Sequence, residues 1–269
     1  MQYRQESLEE LARGLDEIPS QLQQLQMDCL LSCSDIPNER VKEYMFHGAG
    51  RRLNVLRHTI INVFAHFPPS AEEKLDRETL FDVQINLQAF FINLVGVFDN
   101  WAWSFVHLHQ LEADVGGRLN VDMFKGRIQR LLPQALQQHL QSEAMVRWHL
   151  EYLKNYRDAL AHRIPLYIPP ATLTPAEQEH YDALEAQRFG LIQAHQWQQL
   201  GEMIAEQDAL GRPCFAFLHS FSEDQALRPI LIHPQMLSDA STVIEFGNLF
   251  LAHWRERAQI IPADVPAHR

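Results

Sequence analysis

Arg77–Leu108, RETLFDVQINLQAFFINLVGVFDNWAWSFVHL, carries a long unbroken helical repeat. Leu87, Phe91, Leu94, Phe98, Trp101, Phe105 and Leu108 alternate spacings of four and three without a break, the repeat of an α-helix packed against other helices. A second stripe passes through Ile92, Val95, Ala102 and Val106, with Asp99 in its middle. Apolar on nearly every side, this helix is expected to be the axis of a bundle, and a carboxylate there needs a partner. Its richest run, Phe90 to Val106, is interrupted by Asn93, Asp99 and Asn100, so it reads as a core helix and not as a membrane span.

Outward from this axis the pattern stays helical. About Ser7 to Cys33 reads as a first helix that Pro19 kinks or splits. About Glu39 to Phe64 reads as a second, softened at Gly48 and Gly50, and Pro68 and Pro69 end it. Ser70, with Glu72 and Glu73 behind it, offers a cap and an acidic first turn to the axis helix. Gly116 and Gly117 then break the chain before a fourth helix, roughly Val121 to His139, bent or broken at Pro133 and carrying Lys125, Arg127 and Arg130.

Beyond Arg163 the proline-rich segment IPLYIPPATLTPAE is a connector, and Thr174–Pro175 marks the start of a helix over about Ala176 to Asp208. Two apolar runs, Cys214–Phe221 and Arg228–Pro234, flank the polar SEDQ turn and predict a β-hairpin. Ser238 or Asp239 is expected to cap a last helix, Ala240 to Arg257, followed by a disordered tail from Pro262. The fold class is therefore all-α. A helical bundle over residues 1–165 carries an extension over 166–269, a helix, a small hairpin and a further helix packed on it.

With 46% apolar residues among 269, the chain has the composition of a globular protein with a real core. A net charge of −11 excludes a broadly basic surface built to coat nucleic acid, so chemistry on a polyanion would be confined to a local site. The N-terminal residues lack the charged and apolar regions of a secretory signal, and no membrane association is expected. Cys29, Cys33 and Cys214 form no C-x-x-C pair. Cys29 and Cys33 share a helix face with leucines, as buried free thiols of a reducing cytoplasm would.

The stretch Ser142–Pro165, SEAMVRWHLEYLKNYRDALAHRIP, places polar residues where a core is due. Val146, Leu150, Leu153 and Leu160 form a helical seam, and Arg157 fills its one remaining position. A buried guanidinium keeps its charge and must find a carboxylate, a carbonyl or an anion. Asp99, equally misplaced on the axis helix, is the expected partner across the bundle. His162 follows five residues after Arg157, about 140° around and about 7.5 Å along a straight helix, so the two do not share a face. Asp158, four residues before His162, can meet it, and a helix C-terminus favours its imidazolium form. As alternatives, the Asp99–Arg157 pair is an internal salt bridge that fixes register and His162 is a plain C-terminal cap.

Other motifs are weak. None of the fourteen histidines stands in H-E-x-x-H, there is no glycine-rich phosphate loop and no G-x-S-x-G elbow, and neither a metal nor a cofactor is expected. Arg51, Arg52, Arg57 and His58 are a candidate for RNA backbone contact, with Asn100 adding hydrogen-bonding capacity. The competing reading is a solvated helix face.

Arg157-Asp158-Ala159-Leu160-Ala161-His162 resembles the signature of the HEPN superfamily, an arginine, usually a polar residue next, and a histidine four to six residues after the arginine. The resemblance covers about Glu39 to Pro165. It implies a helical bundle with the motif late in the chain, a supporting acid on an earlier helix, for which Asp99 fits, and a homodimer that brings two motifs to one cleft. It also implies metal-independent RNA cleavage, with RNA as substrate, by a toxin or phage-defence effector, possible antitoxin or other protein partners, and a cytoplasmic location. The alternative it implies is a binding or interaction module without catalysis. On this resemblance Arg157, His162, Asp158 and Asp99 are the catalytic group, and Arg51, Arg52, Arg57 and Asn100 are the candidate RNA contacts.

Overall fold

The computed structural model describes residues 3–218 and 229–258. Its first helix, α1 (Gln5–Ser32), runs unbroken through Pro19. Leu11, Leu22 and Leu25, on both sides of that proline, are buried against neighbouring helices, and this packing offsets the hydrogen bond the proline lacks.

Asn38 caps the next helical run by accepting from the Arg40 amide. That run comprises α2 (Glu39–Lys42), a π-helical segment (Glu43–Gly50) and α3 (Arg51–His66), so the soft spot at Gly48 and Gly50 is a widened turn and not a break. The axis helix α4 (Arg77–Leu108) has the expected bounds, but its cap is Asp76, which accepts from the amides of Glu78 and Thr79. Ser70 lies in the irregular segment before it.

By length and hydropathy α4 is the one described helix apolar enough to cross a membrane. Its Phe90, Phe91, Leu94, Val97, Phe98, Trp101 and Phe105 are nevertheless at most 1% exposed, and they form the middle of the core shared with α1, α3 and the last helix. A helix so enclosed is the bundle's axis.

After α4 come α5 (Glu112–Val115) and a 3₁₀ turn (Arg118–Asn120). The helix expected over about Val121–His139 is reduced to α6 (Gly126–Gln129) and α7 (Gln134–Leu140), and the expected break at Pro133 is present, with that residue just before α7. Gly116 and Gly117 take φ of 66° and 128°, and the Asp122 side chain accepts from the Phe124 amide, which competes with helix. The motif-bearing stretch consists of α8 (Glu143–Arg147), a second π segment (Trp148–Leu153) and α9 (Lys154–His162).

α10 (Pro175–Gln193) begins at the predicted signal, with Thr174 and Glu177 in a reciprocal capping box. The single long helix expected over about 176–208 ends at Gln193 and resumes as α11 (Trp197–Ala209). His195, at φ 54°, makes the turn. The hairpin is present as β1 (Ala216–Phe217) paired antiparallel with β2 (Ile230–Leu231), Ala216 opposite Leu231. The SEDQ turn and the tail from Pro262 lie outside the described residues.

The last helix, α12 (Ile232–His253), starts eight residues before the expected Ala240, since Pro234 falls in its first turn, where a missing amide hydrogen is harmless. Asp239 is consequently no cap. It is fully buried mid-helix, and α12 packs against α1, α3, α4 and α7 within the same core.

Candidate functional site

The wide turn over Trp148–Leu153 sets the register of everything after it. Hydrogen bonding from i to i+5 inserts one residue relative to an α-helix and rotates the faces. The seam predicted through Val146 and Leu150 is not formed: these two are 41% and 52% exposed, while Met145, Leu153, Tyr156 and Ala159 are buried. Arg157, expected inside the seam, has a side chain 38% exposed.

Asp239 fixes this turn from α12. One of its carboxylate oxygens accepts from Trp148 Nε1 at 2.8 Å and Gln235 Nε2 at 2.9 Å, and the other accepts from the Tyr152 hydroxyl at 2.7 Å. Burial outweighs these three donors and pushes the carboxyl up to about 6.

Arg157 opens onto a cleft of about 380 Å³ between α4, α9 and the turns after Gly117. Asp99 faces it from α4, Arg52 from α3, and Arg118, Asp122 and Lys125 from the turns. Four cations thus surround two carboxylates, a local excess of positive charge in a chain of net charge −11. Lys125 Nζ donates to the Leu119 carbonyl, which ties the turn to itself.

Asp99 is raised to about 6, first by burial and next by the Asp122 carboxylate. Arg157, Arg52 and Lys125 pull it down without cancelling that rise. The expected ion pair between Asp99 and Arg157 is not formed within 4.0 Å. Asp158 instead takes the guanidinium, at 3.2 Å from Nη1, because it is the nearer acid on the same helix end. Asp158 therefore meets Arg157 rather than His162. His162 is exposed at the last residue of α9 and is not among the residues that line the cleft.

A second cavity of about 300 Å³ shares Arg52 with the first and is lined by His47, Arg51, Asn93 and Asn100. Arg51 meets His47 Nδ1 at 3.1 Å, and Arg52 donates to Asn100 and Asn93. The basic cluster of α3 consequently divides. Arg51 and Arg52 face these cavities, whereas Arg57 lines a separate pocket against Gln23, Gln26 and Met27 of α1.

The structure brings together Asp99, Arg157, Asp158, Arg52, Arg51 and Asn100, and leaves His162 and Arg57 apart. Sequence reasoning missed Arg118 and Asp122, took Lys125 as part of a helix, and did not use His149. That ring stacks on Phe124 at 3.8 Å and 6°, and burial lowers its pKa against the pull of Asp122. A signal was present in the run from Gly116 to Lys125, where two glycines and an aspartate mark a turn that carries cations. Among the described residues, no group of three His, Cys, Asp or Glu side chains is placed to hold a metal ion. The chain matches no family model, no curated protein and no solved structure.

Proposed function

We propose that this chain is a HEPN-like endoribonuclease of the cytoplasm, a toxin or defence effector whose cleft is completed by a second copy of itself. The observation that carries the reading is the convergence of Arg157 and Asp99 on one open cleft with three further cations. An RNA strand supplies its own nucleophile, so the reaction needs charge stabilisation and proton transfer and no metal. The 2′-hydroxyl gives up its proton as O2′ bonds to phosphorus, the bond from phosphorus to O5′ breaks, and O5′ takes a proton. The products are a 2′,3′-cyclic phosphate and a 5′-hydroxyl.

Arg157, oriented by Asp158, neutralises the charge that builds on the phosphorane oxygens. Asp99, held near 6, exchanges a proton close to neutral pH. His162 of each copy shares the base and acid roles, a contribution on the order of 10²–10⁴-fold per transfer. The placement of His162 outside its own cleft supports the two-copy reading. Phe81, Ile85 and Ile92 favour it too, as three exposed apolar side chains on one stripe of α4, with Ile92 at the cleft itself.

His162→Ala is expected to abolish RNA cleavage while the thermal unfolding midpoint stays within about 2 °C, given the exposure of the ring. Wild-type protein that leaves varied single-stranded RNAs intact, with and without added divalent metal, would remove the catalytic reading. A binding module without catalysis is the second reading. The same exposed His162 favours it, because the cleft then holds four cations for a ligand and only carboxylates to titrate.

A further inference from the structure

Arg52 is held in a manner that a structural arginine does not need. Its Nε donates to Asn100 Oδ1 at 2.8 Å and its Nη1 to Asn93 Oδ1 at 3.2 Å. The Asn93 amide nitrogen in turn donates to the Ala89 carbonyl at 2.8 Å, which turns the amide oxygen toward the guanidinium. Both anchors are neutral. Among the described residues no carboxylate lies within 4.0 Å of this guanidinium, so its charge is fixed in place without a direct ion pair, and Asp99 on the same cleft acts on it only at longer range.

The floor of the slot is glycine. A Cβ at Gly96 would stand 2.3 Å from Arg52 Nη1 and Cζ, so the guanidinium lies directly on the backbone of α4. A Cβ at Gly48 would stand 2.7 Å from Asn100 Cγ, so the π turn of residues 43–50 makes room for the second anchor. Five N–H donors serve a guanidinium and two are spent on the asparagines, which leaves three for a ligand. Arg52 lines both cavities, with Arg51 in one and Arg157, Arg118 and Lys125 in the other.

We propose that Arg52, seated on Gly96 and clamped by Asn93 and Asn100, is a preset receptor for a phosphoryl anion shared by the two cavities. Planar, permanently charged and oriented before binding, it presents the fork that suits phosphate oxygens. The ligand is either the backbone of an RNA strand, which rests on the function proposed above, or a free polyphosphate. The receptor chemistry is common to both.

The test measures binding of inorganic pyrophosphate by calorimetry, and of a fluorescent single-stranded oligonucleotide with 2′-deoxy sugars, which the proposed reaction cannot cleave, by anisotropy. Arg52→Ala is expected to weaken binding by about tenfold or more, with the salt dependence of oligonucleotide binding reduced by roughly 0.7 in log–log slope. Gly96→Ala keeps every charge and every donor, yet it is expected to weaken binding to a similar extent by lifting the guanidinium off its seat. Since the displaced atoms are the end of a flexible side chain and alanine is the better helix former, the fold of Gly96→Ala is expected to be at least as stable as the wild type.

Binding of both probes with this dependence supports the receptor and the RNA source. Binding of pyrophosphate alone supports the receptor and counts against RNA. The proposal is overturned if neither probe binds, or if Arg52→Ala and Gly96→Ala bind as the wild type does, and in that last case oligonucleotide binding with RNA cleavage intact would leave the ribonuclease reading standing.

Discussion

Asp99 and Asp239 are carboxylates pushed to the same value, about 6, in two different surroundings. Asp239 is sealed in the core and meets three donors at 2.7 to 2.9 Å, so its interactions are short, directed and closed to solvent. Asp99 faces an open cleft with cations beyond ion-pair distance and a second carboxylate, Asp122, working against them. A raised pKa alone therefore does not separate a sealed acid from an open one. What separates them is whether the hydrogen-bonding capacity is already spent.

Deletion of the closed acid is expected to have the largest effect on stability. Asp239→Ala strands the Trp148 indole, the Tyr152 hydroxyl and the Gln235 amide next to a cavity in the core, and it is expected to cost roughly 3 kcal/mol or more in unfolding free energy. Denaturant titration checks the value. A loss under about 1 kcal/mol would mean that the three donors find other partners, and that the link between the π turn and α12 is weaker than its geometry.

The open acid is expected to respond with the other sign. Its folded pKa, about 6, lies above the ordinary aspartate value, so the ionised form is disfavoured in the native state. Relative stability from Asp99 is thus fully present below about pH 4 and is lost as pH rises through about 6. Asp99→Asn removes that loss. The variant is expected to exceed the wild type at pH 7 by on the order of 1 kcal/mol and to converge with it near pH 4. Thermal unfolding at the two pH values measures the difference, and a variant less stable at pH 7 would show that the surrounding cations use Asp99 as a structural partner. If the ribonuclease reading holds, the same variant also loses the limb of the rate profile centred near pH 6.

The two regions also differ in how far the chain's order of residues discloses them. α4 was legible because its apolar residues recur on nearly every face, and Asn93, Asp99 and Asn100 within that run mark a core helix rather than a membrane span. Asp99 and Arg157 were legible as misplaced ions, but their partners were not. The choice of Asp158 over Asp99 depends on how far α9 is rotated, and that rotation is set by a π turn whose inserted residue leaves no mark in composition. The acid that holds the turn is 91 positions from Trp148, on a helix whose start was itself displaced because Pro234 reads as a stop yet sits harmlessly in a first turn. Arg118 and Asp122 went unassigned, and Lys125 was read on a helix, because all three occupy short turns where no long period relates one side chain to the next.

The smallest effect tests the rotation itself. If Asp239 and the π turn set the register, Leu150 points to solvent in the isolated chain, and Leu150→Gln is expected to change unfolding free energy by no more than about 0.5 kcal/mol at concentrations where light scattering finds a monomer. An uninterrupted α-helix would bury Leu150 in the seam with Leu153, and the same substitution would then cost several times more, since an amide would enter the core without a partner. The measurement decides between two registers one residue apart. In the register with Leu150 outside, Arg157 lies at the cleft, beside the carboxylate whose capacity is still unspent.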